Sequence, residues 1–134
     1  VNDSLQGIML RLREYVHSLG EARNISIDFR SEEGAEEVML PMETRRNLYL
    51  IVKEALNNLV KHSGADHAEV RLSRAKNTVT VSISDDGKGF DPTKISGRNG
   101  MRNMQLRAAE TGGQLEILSE AGKGTRIKFS FPVT

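Results

Sequence analysis

Cysteine is absent from the 134 residues. That absence excludes disulfides and Cys-ligated zinc, and it permits a reducing compartment without requiring one. Long apolar runs are absent too. No stretch approaches the roughly 18 residues needed to span a bilayer, and no signal-peptide pattern opens the chain. Neither sign of charge dominates: 19 basic and 18 acidic side chains leave a net charge of +1. Such a balance gives no general drive toward nucleic acid or an anionic membrane. Repeats and low-complexity segments are missing as well. What remains is 37% hydrophobic and 28% charged, which fits a folded globular chain rather than a disordered one. The length suits one domain over 1–134 with its own core. The start at Val1 rather than Met leads us to expect a fragment of a longer protein.

Apolar residues at Leu5, Ile8, Met9, Leu12, Val16 and Leu19 predict a helix over 4–19, with Ser4 as N-cap and Gly20 as its stop. "NISIDFR" alternates Ile25, Ile27 and Phe29, as a strand does. "VML" is expected to be a short return strand, ended by Pro41, which opens the next helix. That helix runs over 42–62, with Leu48, Ile51, Val52, Ala55, Leu56 and Leu59 inward and Gly64 closing it. "HAEVRLSR" and "TVTVSISD" alternate Ala68, Val70, Leu72 and then Val79, Val81, Ile83 inward. A glycine-rich polar loop over 86–100 follows, of a length that is usually functional or disordered. A helix over 101–111 and two strands, "QLEILS" and "TRIKFSFPV", complete the chain. Strand pairs joined by short turns are antiparallel hairpins. The economical packing is a two-layer α/β sandwich: a mixed, mostly antiparallel sheet with helices on one face.

"KEALNNLVKH" in the second helix holds the first chemistry. At about 100° per residue, Glu54, Asn58, Lys61 and His62 share a narrow arc beside the core-facing residues. A stripe at the edge of the core is placed to line a pocket. A carboxylate there can accept a proton or orient a nucleophile. An amide oxygen is a neutral ligand suited to Mg²⁺, and a lysine can answer phosphate charge. The set fits phosphoryl transfer without a Walker loop. Taken alone, the stripe is more readily a solvated helix face.

The glycines change that balance. In "SDDGKGF", Asp85 shares the parity of Val79, Val81 and Ile83, so the pleat aims it at the core side. A carboxylate in that position needs a donor, and the exocyclic amine of adenine, with a bound water, is one. Gly87 and Gly89 let backbone approach a ligand. The competing reading, a bare Asp-Gly turn, leaves the inward parity of Asp85 and the second glycine unexplained. Gly97 and Gly100 precede a helix whose first N–H groups form an anion site. "GKGT", residues 122–125, is by itself a hairpin turn.

These four stretches, in this order, resemble the ATP-binding catalytic domain of sensor histidine kinases, which shares the Bergerat fold of DNA gyrase, Hsp90 and MutL. Within the kinases the resemblance is to the nitrate-sensor and DesK-like subfamily. "EALNNLVKH" is similar to its N-box, "DDGKGF" to its G1 box and "NGMRNMQLRA" to its G2 box and following helix. "GGQLEILSEAGKGTRIKFSFP" resembles its final hairpin. The match covers about residues 42–134, and the earlier helix and strand fit more loosely.

The resemblance implies a role for each matched residue, with ATP and Mg²⁺ as ligands. Asn58 would bind Mg²⁺ bridging the phosphates. Glu54 would polarise the attacking group. Lys61 and His62 would contact phosphate or metal-bound water. Asp85 would bind adenine, with Gly87 and Gly89 passing under base and ribose. Gly100 and the backbone near Met101 would cap the phosphates, and Thr125 would help fix the base or its water. Residues 91–99 would form a lid. One departure stands out: the G2 box usually begins Gly-x-Gly, whereas here Arg98 takes the first glycine's place and Gly97 lies one position earlier.

The resemblance also implies a partner. A complete kinase has a phosphoacceptor histidine followed by an acidic residue on a dimerising helical hairpin. His17 in "EYVHSLG" and His67 in "ADHAEV" do not match that pattern, and His17 is expected on a helix surface. The acceptor is therefore expected on a separate dimerisation domain, with a response regulator downstream. The domain is expected to be monomeric and cytoplasmic, in a membrane-anchored parent. Two alternatives stay open: an ATPase or anti-sigma-type serine kinase on the same fold, and a non-catalytic nucleotide sensor.

Overall fold

The structure is a computed structural model that describes residues 2–89 and 99–133. The proposed lid lies outside the described residues, apart from Asn99. So do Gly97 and Arg98.

Among the described residues, seven strands and three α-helices follow one another as β1 (Asp3–Ser4), α1 (Gln6–Arg23), β2 (Ser26–Ser31), β3 (Met39–Leu40), α2 (Met42–His62), β4 (His67–Ala75), β5 (Thr78–Asp85), α3 (Asn99–Glu110), β6 (Gln114–Ser119) and β7 (Thr125–Pro132). A 3₁₀ turn at Ala35–Glu37 precedes β3. Five strands form one sheet in the order β2-β4-β5-β7-β6. The β4–β5, β5–β7 and β6–β7 pairs are antiparallel, while β2 pairs with β4 in parallel. A parallel pair needs a long crossover, and here residues 32–66, including α2, supply it. The helices pack on one face of this mixed sheet, the expected two-layer arrangement.

Alternation decides which face is covered. Val79, Val81 and Ile83 on β5, and Val70 and Leu72 on β4, are buried against the helices together with Ile127, Phe129 and Phe131 on β7. The helical stripes meet them: Leu5, Met9, Leu12 and Val16 of the α1 region, and Leu48, Ile51, Val52, Ala55, Leu56 and Leu59 of α2. Each fully buried large side chain contributes roughly 1.5–3 kcal/mol relative to exposure.

Three local expectations are corrected. The first helix runs past Gly20 and ends at Asn24, which adopts a left-handed φ of 55°. Gly20 is small for another reason: an added Cβ would lie 2.8 Å from the carbonyl of Ile25 as the chain returns. Ser4 lies in β1 and Leu5 takes the cap position, while Ser4 Oγ accepts from the Gln6 N–H at 3.4 Å. The "VML" segment gives β3, but it pairs with β1 rather than returning along β2. β2 instead keeps its partner in β4 and is left as an edge strand. Pro41 stands just before α2, and its carbonyl accepts from the Arg45 N–H at 3.1 Å.

Direction along the sheet positions the site. α2 ends at Ser63, whose carbonyl accepts the Lys88 N–H at 2.8 Å, so its C-terminus meets the turn after β5. α3 ends near Gly113, where an added Cβ would overlap the Ser130 carbonyl at 2.2 Å. Ser130 lies five residues along β7 from Thr125, which faces Asp85. α3 therefore runs away from the Asp85 end and α2 runs toward it.

Candidate functional site

Asp85 is the last residue of β5, opposite Ala68 on one side and Thr125 on the other. Its parity is the inward one, and the strand's end leaves it half-buried. Burial pushes its carboxyl above the usual aspartate value. Backbone amides of Gly87 and Thr125 pull the other way, and neighbouring Asp86 adds to the rise. The Gly87 N–H donates to Oδ1 at 2.8 Å. Two carboxylate oxygens offer about four acceptor sites, so the group keeps capacity for an outside donor.

Asp86, the next residue, points elsewhere. Its Oδ1 accepts from the backbone of Asp66 at 3.1 Å and His67 at 3.0 Å. Those bonds, the His67 one foremost, hold its carboxyl below the usual range. Asp86 thus ties the turn to the start of β4 and leaves Asp85 for the site.

The glycines of this turn answer first to protein. A Cβ on Gly87 would stand 2.4 Å from the Ser63 carbonyl, and one on Gly89 would stand 2.1 Å from that of Glu120. Gly89 also has a φ of +64°, which favours glycine. Gly124, with φ +85°, would place a Cβ 2.2 Å from the Asp85 carbonyl oxygen. The Gly122 N–H donates to the Lys88 carbonyl. So the β6–β7 turn lies against the turn after β5. Thr125 is there too, its Oγ1 2.8 Å from Ser119 Oγ.

The α2 stripe approaches from the helix layer. Glu54 and Asn58 are half-buried, while Lys61 and His62 are exposed. Asn47 lies on the same arc, seven residues before Glu54, and is 5% exposed. Its Nδ2 donates to Glu110 Oε2 at 3.2 Å, and its Oδ1 accepts from Arg107 Nη1 at 3.4 Å. This amide latches the start of α2 to the end of α3. At 1.5 Å per residue, Glu54 stands about 10 Å along α2 from Asn47, and Gly100 about 10 Å back along α3 from Arg107. The first turn of α3, with Gly100 and half-buried Met101, is thus about level with Glu54, with Asn58 one turn further along α2. The N–H groups of a first helical turn have no intrahelical partner, and with the positive dipole end they favour an anion.

The donor set fits a nucleotide with a divalent cation. Among the described residues no three His, Cys, Asp or Glu side chains gather as a cage. Mg²⁺ held through phosphates needs only one or two protein oxygens, which Asn58 and Glu54 can offer.

Comparison with known proteins decides the family. The model for histidine kinase-, DNA gyrase B-, and HSP90-like ATPases matches residues 43–134. The chain belongs to this ATPase family. It is 36% identical over 129 residues to the signal transduction histidine-protein kinase/phosphatase DegS of Brevibacillus brevis, covering 96% of this chain and 33% of DegS. It is 36% identical over 88 residues to the sensor histidine kinase LiaS of Bacillus subtilis, covering 65% of this chain and 24% of LiaS. The chain therefore spans a third or less of these curated relatives. Its fold is shared with the histidine kinase domain of the Erythrobacter litoralis EL346 blue-light activated kinase: TM-score 0.79, 21% identity, 94% of this chain and 61% of that one. It is shared also with the Acinetobacter baumannii histidine kinase AdeS: TM-score 0.80, 9% identity, 100% of this chain and 68% of that one.

The sequence-derived residues lie on α2 (Glu54, Asn58, Lys61 and His62), at and after the end of β5 (Asp85, Gly87 and Gly89), in the first turn of α3 (Gly100 and Met101) and at the start of β7 (Thr125); those of β5 and β7 adjoin one another, and the end of α2 meets them through the Ser63 carbonyl. His17 is a surface residue, paired with Glu21 at 3.3 Å. The sequence reading missed Asn47 and Ser63. A polar residue in phase with Ile51 and Glu54 was the available signal for Asn47. Nothing local marks Ser63, whose importance is the carbonyl it offers to the turn. No helix among the described residues is long and apolar enough to cross a membrane.

Proposed function

We propose that this chain is the ATP-binding catalytic domain of a sensor histidine kinase of the nitrate-sensor and DesK-like kind. It transfers a phosphoryl group to a histidine on a separate dimerisation domain, which in turn feeds a response regulator. The observation that carries this reading is Asp85. A half-buried carboxylate with spare acceptor capacity stands at the sheet end where α2 arrives and α3 begins.

Asp85 would accept from the exocyclic amine of adenine, and Thr125 would help fix the base or a water beside it. Gly87 and Gly89 keep the turn low beside the base. Asn58 offers its amide oxygen to Mg²⁺, and Glu54 orients the incoming imidazole. Lys61, His62 and the N–H groups near Gly100 and Met101 neutralise phosphate charge. Mg²⁺-ATP, when bound, supplies the γ-phosphoryl group. Positioning and charge neutralisation supply most of the rate in such transfers. The "EALNNLVKH" pattern supports the subfamily assignment. The domain works on the cytoplasmic side of a membrane-anchored parent.

The test mixes the domain with Mg²⁺-ATP and a separately made histidine-bearing domain. Acid-labile phosphohistidine on the second domain is the expected product. ATP binding without any such product rejects the kinase reading in favour of a nucleotide sensor. Acid-stable phosphoserine on a protein substrate rejects it in favour of a serine kinase.

A further inference from the structure

A second recess lies far from Asp85, between α1 and the first half of α2. Its volume is about 380 Å³. Ile8, Met42, Leu50 and the Tyr49 ring form its apolar walls, and Arg11, Arg45 and Arg46 its rim. None of its lining residues is acidic. The chain as a whole is nearly neutral, at +1, so three guanidiniums around one recess are a local separation of sign. Lys53, one turn beyond Tyr49, extends the same basic face.

Arg11, Arg45 and Lys53 are held in place before any partner arrives. The Arg11 guanidinium sits 4.6 Å above the Tyr49 ring. Lys53 Nζ lies 5.4 Å from the Tyr15 ring and 5.8 Å from that of Tyr49. Arg45 Nε donates to the Leu40 carbonyl at 3.2 Å. Side chains ordered in advance lose less entropy on binding. Met42 is 64% exposed at the recess edge, although it is the first residue of a helix whose other large apolar residues are mostly covered. Arg, Tyr and Met around a concave apolar floor are the composition enriched in protein interfaces.

We infer that this recess docks an acidic amphipathic helix of a partner protein. Apolar residues at i, i+3 or i+4, and i+7 of that helix enter between Ile8, Met42 and Leu50, and carboxylates beside them meet Arg11 and Arg46. The shape favours a helix over other anions. A membrane surface calls for a protruding apolar face ringed by cations, and this one is concave. Single-stranded nucleic acid calls for an open aromatic face to stack on, and Arg11 covers a face of Tyr49. Neither nucleotide nor the Asp85 site is needed for this contact.

The test is fluorescence anisotropy with a labelled designed helix carrying leucines at that spacing flanked by glutamates. Two control peptides exchange glutamate for lysine or leucine for serine. Phosphatidylglycerol vesicles form a separate arm. The wild-type chain is expected to bind the acidic peptide and to bind both controls at least about tenfold more weakly. Arg46→Glu and Arg11→Glu should each weaken the acidic peptide about tenfold through like-charge contact, with the melting temperature unchanged for Arg46→Glu. Met42→Ser should weaken it without altering the salt dependence, which separates the apolar contribution from the ionic one. Equal binding of the lysine peptide, no binding of the acidic one, or indifference to both Arg46→Glu and Arg11→Glu overturns the inference. Binding to vesicles but not to the peptide overturns it in favour of a membrane surface.

Discussion

Asp85 is a group whose ionised form the fold disfavours. Burial raises its pKa above the ordinary 3.8, so the native state binds this proton more readily than the unfolded chain does. For an acid of that sign, stability declines as pH rises through the interval between the unfolded and folded values. Asp85→Asn should therefore match or exceed the wild-type urea midpoint at neutral pH, with the gain fading below about pH 4. Urea curves at the two pH values check this, and a loss of stability at neutral pH contradicts it. Glu36 has the opposite sign. Burial, the largest single cause, pushes its carboxyl up, but the Arg13 hydrogen bond, the Ser31 hydroxyl and the Arg13 charge together outweigh it and the net shift is downward from 4.5. Its contribution is complete above about pH 4.5 and is lost as acid takes pH through the lowered value. Arg13→Ala should flatten the acid limb of the stability profile, measured as midpoint against pH. At Gly89 the expected effect is backbone strain and overlap. Gly89→Ala should cost more than about 2 kcal/mol, visible as a fall in the denaturation midpoint.

At the scale of elements, the two helices flanking the site are joined by one amide. Asn47 both donates and accepts across the α2–α3 contact. Asn47→Leu keeps the branched shape and removes both bonds, leaving Glu110 and Arg107 short of a partner. The expected loss is about 1–3 kcal/mol. Because the proposed site places the phosphates at the start of α3, ATP affinity should fall more than adenosine affinity. Equal losses for both ligands contradict that role, and calorimetry with each ligand measures it. Elements were legible where burial repeats. Val79, Val81 and Ile83 announced β5, and the α2 stripe from Leu48 to Leu59 announced its buried face. They were less legible where one close contact decides. Gly20 looked like a stop because glycine often ends helices, yet its smallness serves the Ile25 carbonyl. β3 has two residues, too few for a pattern, so its pairing with β1 depended on where the chain's start came to lie.

For the whole molecule, direction matters more than composition. α2 runs toward the Asp85 end and α3 runs away from it, so one helix brings its C-terminal side chains and the other its N-terminal amides to the same place. The β6–β7 turn closes that place from the side, held by Gly122 and Gly124 against the chain after β5. The sequence motifs named most of these residues, but spacing alone did not put the start of α3 level with Glu54. Only the latch at Asn47 and the approach of Gly113 to Ser130 did so. The glycines of the "DDGKGF" turn show the same limit: their spacing suggested room for a ligand, and the fold also spends that room on Ser63 and Glu120.

The most direct measurement is calorimetric titration of the chain and its Asp85→Asn and Asn58→Ala variants with Mg²⁺-ATP. The account predicts saturable heat for the wild-type chain, none for Asp85→Asn, and weakened binding that no longer depends on Mg²⁺ for Asn58→Ala. Wild-type behaviour in both variants, or no heat from the wild-type chain itself, would contradict it.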